Sequence, residues 1–196
     1  ALKNLDSKNI DSEKPIIAVL PGSRKQEIAS SLPIMMKVAK YFENYQFIIA
    51  GAPSISVDYY RSITKDSYMP VLSNKTHALL KECKAAIITS GTATLEAAIL
   101  GAPQVVCYKT SFISYIIGKL LVKVKYIALV NLICDKEVVK ELIQDDFNIE
   151  NLVNELNYIL NNNNRIQILS NYNKIIDLLG KEGASKRAAK AIISLN

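Results

Sequence analysis

The chain has 196 residues, of which 49% are hydrophobic and 21% are charged. This length suits one domain with a complete hydrophobic core, and this composition excludes an intrinsically disordered chain. A formal net charge of +6 favours anionic partners, but the basic residues are spread along the chain and form no dense block. We therefore expect no nucleic-acid partner, whereas a phosphorylated ligand and an anionic membrane surface fit the charge equally well.

The opening segment, residues 1–14, is polar and predicts an interdomain linker. From Pro15 onward, short apolar runs alternate with amphipathic stretches, the pattern of βα units around a parallel sheet. The predicted strands are Ile16–Leu20, Gln46–Ala50, Met69–Leu72, Ala85–Thr89, Gln104–Tyr108 and Tyr126–Val130. The predicted helices between them are Gln26–Phe42, Val57–Thr64, Thr76–Glu82, Thr92–Leu100 and Phe112–Val122. Pro33 lies well inside the first of these helices and predicts either a kink or a later start.

After Asn131 the pattern predicts helices alone, at Glu137–Gln144, Ile149–Leu160, Arg165–Leu179 and Ala184–Ser194. We therefore predict an α/β fold, in which a Rossmann-like parallel sheet of about six strands carries helices on both faces and a helical C-terminal tail. Residues 15–145 would form the sheet domain, and residues 146–196 would form a helical segment of the same domain.

Two loops that follow predicted strands carry groups suited to phosphate, and ligands of open α/β sheets bind beyond the carboxyl ends of the strands. After the first strand comes Gly22-Ser23-Arg24, where the glycine permits close approach of the backbone and the guanidinium matches phosphate oxygens. After the fourth strand, Ser90-Gly91-Thr92 places free N–H groups at a helix start, where the dipole favours anions. Together the loops predict a diphosphate site. A plain strand-to-helix turn with a surface arginine is the alternative for the first loop, which matches no nucleotide-binding consensus.

Two polar residues further along the chain are candidates for the same edge of the sheet. Glu96 follows Gly91 by a little over one helical turn, and an ionised carboxylate accepts hydrogen bonds from vicinal hydroxyls such as those of ribose. An ordinary exposed glutamate near a helix N-terminus is the alternative interpretation. Asn131 interrupts the apolar sequence LVNLIC at the end of the sixth predicted strand. Its amide must either cap the next turn or bind a substrate, because an unpaired buried amide is costly.

The predicted helix near residue 115 combines apolar and basic side chains. It is too short and too interrupted to span a bilayer, but an apolar face with basic flanks is typical of helices that lie on a membrane surface. The alternative is an ordinary core helix of the βα series. The residues that we expect to face a lipid or membrane are Phe112, Tyr115, Ile116, Lys119 and Lys123.

The cysteines and the single histidine predict no metal site. Cys83, Cys107 and Cys134 are too widely spaced for a CxxC ligand pair, and we expect reduced core residues in a cytosolic protein. His77 lies in a polar helical stretch without a ligand partner nearby in sequence, so we expect a surface or partly packed side chain.

Three sequence blocks occur in the order found in one protein family. They are LPGSRKQEI, SGTATLE followed by GAPQVVCYK, and LVKVKYIALVNLICDKEVVKELIQ. The blocks cover nearly all of residues 15–144, and a weaker match lies at Gly183-Ala184-Ser185. In these blocks the chain resembles the carboxy-terminal half of bacterial lipid-A-disaccharide synthase.

This resemblance implies one half of a two-domain, B-type glycosyltransferase, the half that binds the nucleotide sugar. The family transfers 2,3-diacylglucosamine from UDP to the lipid acceptor 2,3-diacylglucosamine 1-phosphate with inversion, so UDP-2,3-diacylglucosamine is a substrate and no cofactor is expected. The UDP-binding residues that the resemblance carries over by position are Gly22, Ser23, Arg24, Ser90, Gly91, Thr92, Glu96 and Asn131. The ribose role of Glu96 rests on analogy with related B-type transferases.

The resemblance also implies an amino-terminal half that brings the general base and much of the acceptor site, so we expect the isolated chain to be inactive. It implies a cytoplasmic protein that is peripheral on the inner membrane, with a helical tail packed on the amino-terminal half or on a second copy in a homodimer. The alternatives are another enzyme that uses UDP-N-acetylglucosamine, a transferase or 2-epimerase, and a non-catalytic nucleotide-binding or membrane-docking module. The block LVKVKYIALVNLI favours the lipid A enzyme.

Overall fold

A parallel sheet forms the centre of the molecule in a computed structural model, which describes residues 10–11, 13–65, 69–89, 91–109, 125–180 and 183–194. The strands are β1 (Ile16–Leu20), β2 (Gln46–Gly51), β3 (Val71–Ser73), β4 (Ala85–Ile88), β5 (Gln104–Tyr108) and β6 (Glu141–Ile143). They lie in the order β3-β2-β1-β4-β5-β6, and every pairing is parallel. The strand order reverses on either side of β1, as in doubly wound Rossmann folds, and confirms the predicted fold class.

Helices connect the strands and continue after the sheet. They are α1 (Lys25–Val38), α2 (Val57–Thr64), α3 (Thr76–Glu82), α4 (Gly91–Ile99), α5 (Leu129–Cys134), α6 (Ile149–Leu160), α7 (Asn162–Leu179) and α8 (Ala184–Ile193). Short 3-10 turns follow α1 at Ala39–Tyr41 and β6 at Gln144–Asp146. Helix α1 begins at Lys25 and includes Pro33, so the helix does not start later than predicted. The predicted helix Phe112–Val122 lies outside the described residues.

The two faces of the sheet bury separate hydrophobic cores. Successive side chains of a strand point to opposite faces. In β1, Ile17 and Val19 therefore join a core built with α1, α2, α6 and α7, whereas Ala18 and Leu20 join a core built with α3 and α4. All four of these side chains are buried, as expected for strands covered by helices on both sides.

The sixth strand is not where the sequence pattern predicted it. Residues Tyr126–Val130 form a loop and the start of α5, and the edge strand is instead β6, inside the segment Glu137–Gln144 for which we predicted a helix. Strand β6 pairs with β5 through the register Cys107 to Leu142. The prediction of helices alone after Asn131 is therefore wrong at this one element.

Tertiary contacts explain why the sixth strand forms at Glu141–Ile143 and not at Tyr126–Val130. Sequence patterns do not report these contacts. The carboxylate of Glu141 accepts hydrogen bonds from the N–H groups of Ile127 (2.9 Å) and Ala128 (3.0 Å), which fixes the chain just before α5. The free N–H groups at a helix start need such acceptors. The β-branched residues in Tyr126–Val130 favour a strand only when a pairing partner is available. The hydrogen bonds to Glu141 override this local preference.

The cysteines are free thiols, as predicted, and two of them lie in the core. Cys83 and Cys107 are buried, whereas Cys134 is half-buried. Burial raises the pKa of Cys83 to about 12, despite the opposing influence of the Arg165 charge. A thiol with such a pKa stays protonated and unreactive near neutral pH.

The carboxy-terminal helices differ in how closely they pack. Helix α6 buries Leu152, Leu156 and Ile159 in the first core, and α7 buries Tyr172 and Ile175 there. In contrast, the described side chains of α8 are all exposed, including Ile192 at 65% and Ile193 at 72%. The division between residues 15–145 and 146–196 stays a prediction, as does the linker, of which most residues lie outside the described part of the chain.

No helix within the described ranges is both long and apolar enough to cross a lipid bilayer. The residues predicted to face a membrane all lie outside those ranges. They are Phe112, Tyr115, Ile116, Lys119 and Lys123.

Candidate nucleotide site at the carboxyl edge

The two predicted phosphate loops begin side by side. Strands β1 and β4 are direct neighbours in the sheet, with Leu20 opposite Ile88 at their carboxyl ends. The pairing continues one residue further, because the N–H of Thr89 donates to the carbonyl of Leu20 at 2.8 Å. Neighbouring strands lie about 4.8 Å apart. The loops that lead into α1 and α4 therefore start at adjacent points of one edge, as the sequence predicts.

The loop after β1 is shaped around the carboxylate of Glu27. Oxygen Oε2 of Glu27 accepts hydrogen bonds from the N–H groups of Ser23 (3.0 Å) and Arg24 (3.2 Å). Gly22 has φ +116°, and a Cβ there would lie 2.7 Å from both the Cβ and the Oε2 of Glu27. The glycine is therefore needed for its backbone conformation and for the space it leaves beside Glu27.

Arg24 lies at the mouth of this loop and is free to turn toward a ligand. Its side chain is 82% exposed, and Nη1 donates to Oε1 of Glu27 at 3.0 Å. An exposed pair of this kind contributes at most about 1 kcal/mol, so an incoming phosphate can compete for the guanidinium. The N–H groups and the guanidinium together hold one carboxylate, in a capping-box arrangement at the start of α1.

The second loop leads into α4, where Gly91 is the first helical residue. Gly91 and Thr92 are both exposed, and a Cβ at Gly91 would meet no atom within 4 Å. Ser90 lies outside the described residues. Thr89, the residue after β4, is 5% exposed, and its hydroxyl oxygen has no hydrogen-bond partner in the described part of the chain. The first two residues of α4 are therefore accessible to solvent, whereas the Thr89 hydroxyl is not.

Glu96 lies further along α4 and contacts a histidine from the neighbouring helix. Nε2 of His77 lies 3.2 Å from Oε2 of Glu96, and both side chains are largely exposed. The His77 side chain is on the surface, as predicted, and there it contacts Glu96. The pair therefore places the Glu96 carboxylate, an acceptor, and the His77 ring N–H together beside the loop that leads into α4.

Asn131 is buried on α5 and not at the end of a strand. Its Oδ1 accepts hydrogen bonds from the N–H groups of Val138 (2.7 Å) and Val139 (2.9 Å). Its Nδ2 donates to the carbonyl of Val139 and to Oε1 of Glu141, both at 2.8 Å. Of the two alternatives, the structure realises the one in which the amide ties down the following turn, and it leaves no exposed polar atom for a ligand.

A wide cavity of about 490 Å³ opens at the same edge, beyond β5 and β6. Lys109, the residue after β5, lines it together with Ile34 of α1 and Glu150 at the start of α6. Among the described residues, the cavity is also lined by Asp145 and Phe147. Lys109 is thus a second cationic side chain, besides Arg24, near the carboxyl ends of the strands.

Two residues of this edge were missed by sequence reasoning. Glu27 carries a weak signal, since acidic residues favour the first turn of a helix, but its contact with the loop N–H groups requires the folded turn. His77 carries no signal toward Glu96, because the two residues are far apart in sequence and meet only through the packing of α3 against α4.

The fold is that of a Rossmann-like half of the B-type glycosyltransferases. The structure is similar to the calicheamicin glycosyltransferase CalG4 (TM-score 0.60, 14% identity), covering 94% of this chain and 42% of that one. It is also similar to a UDP-GlcNAc 2-epimerase from Neisseria meningitidis bound to UDP-GlcNAc (TM-score 0.57, 14% identity), covering 94% of this chain and 46% of that one. At these identities the similarity shows the fold alone.

The sequence gives the narrower assignment. The family model described as lipid-A-disaccharide synthetase matches residues 2–194, and the chain belongs to this family. It is 36% identical to the lipid-A-disaccharide synthase of Sulfurihydrogenibium sp. (strain YO3AOP1), over 95% of this chain and 53% of that protein. It is 37% identical to that of Syntrophus aciditrophicus (strain SB), over 91% of this chain and 49% of that protein. The chain thus spans about half the length of the curated relatives it matches.

Proposed function

We propose that this chain is the half of a lipid-A-disaccharide synthase that binds the UDP-sugar. One observation carries the proposal: in a member of this family, the loops that contain Arg24 and Gly91 begin at adjacent strand ends. A guanidinium and the bare N–H groups of a helix start are complementary to the two phosphates of UDP. The reaction of the whole enzyme is the inverting transfer of 2,3-diacylglucosamine from UDP to 2,3-diacylglucosamine 1-phosphate.

Each loop residue has a proposed role toward UDP. Gly22-Ser23-Arg24 and Ser90-Gly91-Thr92 hold the diphosphate, and Glu96 accepts hydrogen bonds from the ribose hydroxyls. Glu27 occupies the first loop through the same N–H groups, so UDP must displace its carboxylate from them or share them with it. Asn131 supports the site indirectly, since it fixes the turn that leads to β6.

The chemistry divides between this chain and an amino-terminal half. In an inverting transfer, a base deprotonates the acceptor hydroxyl while the departing UDP is stabilised by positive groups. This chain supplies the second function through Arg24 and the start of α4. The base belongs to the amino-terminal half, so the isolated chain does not catalyse transfer. We expect the isolated chain to bind UDP, but weakly.

The remaining partners follow from the same assignment. The donor UDP-2,3-diacylglucosamine and the acceptor are both lipids, which supports a peripheral position of the enzyme on the cytoplasmic surface of the inner membrane. The basic and apolar residues of segment 110–124 are proposed to meet that surface. The exposed apolar side chains of α8 support packing of this helix on the amino-terminal half or on a second copy.

A second candidate function, another enzyme that uses UDP-N-acetylglucosamine, has weaker support. It rests on the fold similarity to the epimerase, whereas the family match covers nearly the whole chain. A non-catalytic nucleotide-binding or membrane-docking module would bind UDP equally well. Assay of the longer protein with UDP-2,3-diacylglucosamine and with UDP-N-acetylglucosamine separates the candidates, because only the synthase prefers the diacylated donor.

Calorimetric titration of the folded chain with UDP and with uridine tests the proposed nucleotide site. We expect weak but saturable binding of UDP and no detectable binding of uridine, because all the proposed contacts except that of Glu96 with the ribose are to the phosphates. Absence of heat with UDP at millimolar concentration, from a chain shown to be folded, contradicts the proposal. Equal binding of uridine would also contradict it.

A further inference from the structure

The contact between His77 and Glu96 joins two helices whose positions are fixed by the core. His77 lies in the first turn of α3, shortly after the carboxyl end of β3, and Glu96 lies on α4. Leu79 and Leu80 of α3 belong to the same buried core as Ala97 of α4. The two polar side chains therefore extend from anchored backbones, and the 3.2 Å between Nε2 of His77 and Oε2 of Glu96 follows from the packing of the helices.

Glu96 stands one helical turn beyond the proposed phosphate loop. Residues four positions apart lie on the same face of a helix, so Glu96 shares a face of α4 with Thr92, the second residue of that helix. Both residues are exposed. In a nucleotide the ribose is attached directly to the first phosphate. A diphosphate bound at the start of α4 can therefore place the ribose hydroxyls beside the Glu96 carboxylate.

The contact leaves most of the carboxylate available to a ligand. An ionised carboxylate only accepts hydrogen bonds, so this contact assigns a proton to Nε2 of His77, which donates to Oε2 of Glu96. The two oxygens of a carboxylate offer about four acceptor positions, and His77 uses one of them. Oε1 takes no part in the contact. Two neighbouring ribose hydroxyls thus still find acceptors on Glu96.

His77 restrains a side chain that solvent would otherwise leave mobile. The Glu96 side chain is 48% exposed. A glutamate has several rotatable bonds, and fixing it in one rotamer for a ligand weakens binding by the entropy that is lost. Because His77 holds Oε2 before a nucleotide arrives, part of that entropy is lost on folding. Removal of the imidazole would therefore weaken the contact with ribose and leave the contacts with phosphate unchanged.

We infer that His77 is a positioning residue that makes the site select ribonucleotides over deoxyribonucleotides, by holding the Glu96 carboxylate toward the ribose hydroxyls. This inference rests on the proposed UDP site and adds the class of nucleotide that the site accepts. His77 acts through Glu96 and needs no contact of its own with the ligand. Arg24 governs the affinity for the diphosphate, whereas His77 governs the discrimination between sugars.

NMR titration of the isotopically labelled chain with two nucleotides tests the inference. UDP carries both ribose hydroxyls, and 2′,3′-dideoxyuridine 5′-diphosphate keeps the base and both phosphates but lacks the hydroxyls. We expect the unaltered chain to bind UDP roughly tenfold more tightly than the dideoxy compound. His77→Ala should weaken UDP binding roughly three- to fivefold and leave the affinity for the dideoxy compound unchanged. A general disturbance of the site would instead weaken both nucleotides equally.

Three further variants make the test specific. In His77→Gln the amide nitrogen can replace Nε2 as a donor to Glu96, so we expect the preference for UDP to be largely retained. Lys81→Ala alters another exposed residue of α3, one turn further along the helix, and should leave both affinities unchanged. Arg24→Ala should weaken both nucleotides by a similar factor, because its proposed contact is with the phosphates.

A coupled substitution shows whether His77 acts through Glu96. Once Glu96→Ala has removed the carboxylate, the addition of His77→Ala should change UDP affinity no further. Independent, additive losses from the two substitutions overturn the inference, as does an unchanged preference for UDP in His77→Ala.

The unaltered chain separates failure of this inference from failure of the proposed function. Equal binding of UDP and the dideoxy compound retains the diphosphate site and overturns the inference alone. Absence of binding by both nucleotides at millimolar concentration, from a folded chain, contradicts the proposed UDP site and this inference with it.

Discussion

At the scale of single residues, the carboxyl edge depends on how Glu27 and Gly22 fit together. The Glu27 carboxylate bonds to two backbone N–H groups and to the Arg24 guanidinium, and Gly22 leaves it the space to do so. The carboxylate thus occupies the same donors that a phosphate would use. The residue types of this loop could be read from the sequence, whereas this internal occupant could not.

Substitution of Gly22 tests the fit directly. Gly22→Ala adds a Cβ that lies 2.7 Å from atoms of Glu27 at a φ of +116°, so we expect the free energy of unfolding to fall by about 1–3 kcal/mol. Gly91→Ala is the control, because its Cβ meets no atom within 4 Å and we expect a change within about 0.5 kcal/mol. Urea unfolding followed by circular dichroism measures both. Equal stability of the two variants would refute the role of Gly22.

Removal of the charge on Glu27 tests whether this carboxylate competes with phosphate. Glu27→Gln keeps an acceptor for the loop N–H groups but removes repulsion toward UDP, so we expect UDP to bind roughly two- to fivefold more tightly. Glu43→Gln is the matched control, since Glu43 is an exposed carboxylate between α1 and β2, at the amino edge of the sheet. Weaker UDP binding by Glu27→Gln would mean that Glu27 organises the loop for the ligand and does not compete with it.

At the scale of elements, five of the six strands could be placed from sequence, β3 with a start two residues too early, and β6 could not. Strands β1, β2, β4 and β5 consist mainly of apolar residues that are buried on both faces, so their hydrophobic runs are long enough to identify them. Strand β6 is three residues long and lies at the edge of the sheet. Its formation depends on pairing with β5 and on the hydrogen bonds of Asn131 and Glu141, which no local pattern reports.

Asn131 holds this edge together, and its substitution tests that role. Asn131→Leu removes four hydrogen bonds and leaves the buried N–H groups of Val138 and Val139 without an acceptor, so we expect a loss of about 2–4 kcal/mol in unfolding free energy. Asn157→Leu, at an exposed position of α6, is the control, with an expected change within about 0.5 kcal/mol. A similar small effect at Asn131 would show that its hydrogen bonds contribute little.

Helix α6 carries a carboxylate whose ionisation opposes folding. Burial raises the pKa of Glu155 above that of the unfolded chain, so the folded chain holds this proton more tightly and loses stability as the pH rises through that interval. We therefore expect the unfolding free energy of Glu155→Gln, relative to the unaltered chain, to increase from acidic to neutral pH. Thermal unfolding across this range measures the difference, with Glu150→Gln as the control for removing a carboxylate from α6. A pH-independent difference would contradict the assignment.

At the scale of the whole molecule, the chain folds as an α/β unit and spans about half the length of the curated relatives it matches. The parallel sheet and its helices could be predicted from alternating periodicities, and the family from three blocks of residues. The contact of His77 with Glu96 could not, because it joins elements that are distant in sequence. We propose that the exposed apolar side chains of α8 contact the amino-terminal half or a second copy.

The central claim is that Arg24 and the start of α4 together bind a diphosphate. The most direct test is calorimetric titration of UDP into Arg24→Ala, with Arg61→Ala as the control, because Arg61 is also exposed and also pairs with an acidic residue three positions away, Asp58. We predict that UDP affinity falls roughly tenfold or more for Arg24→Ala and is unchanged for Arg61→Ala. Equal UDP affinity of Arg24→Ala and the unaltered chain would contradict the account.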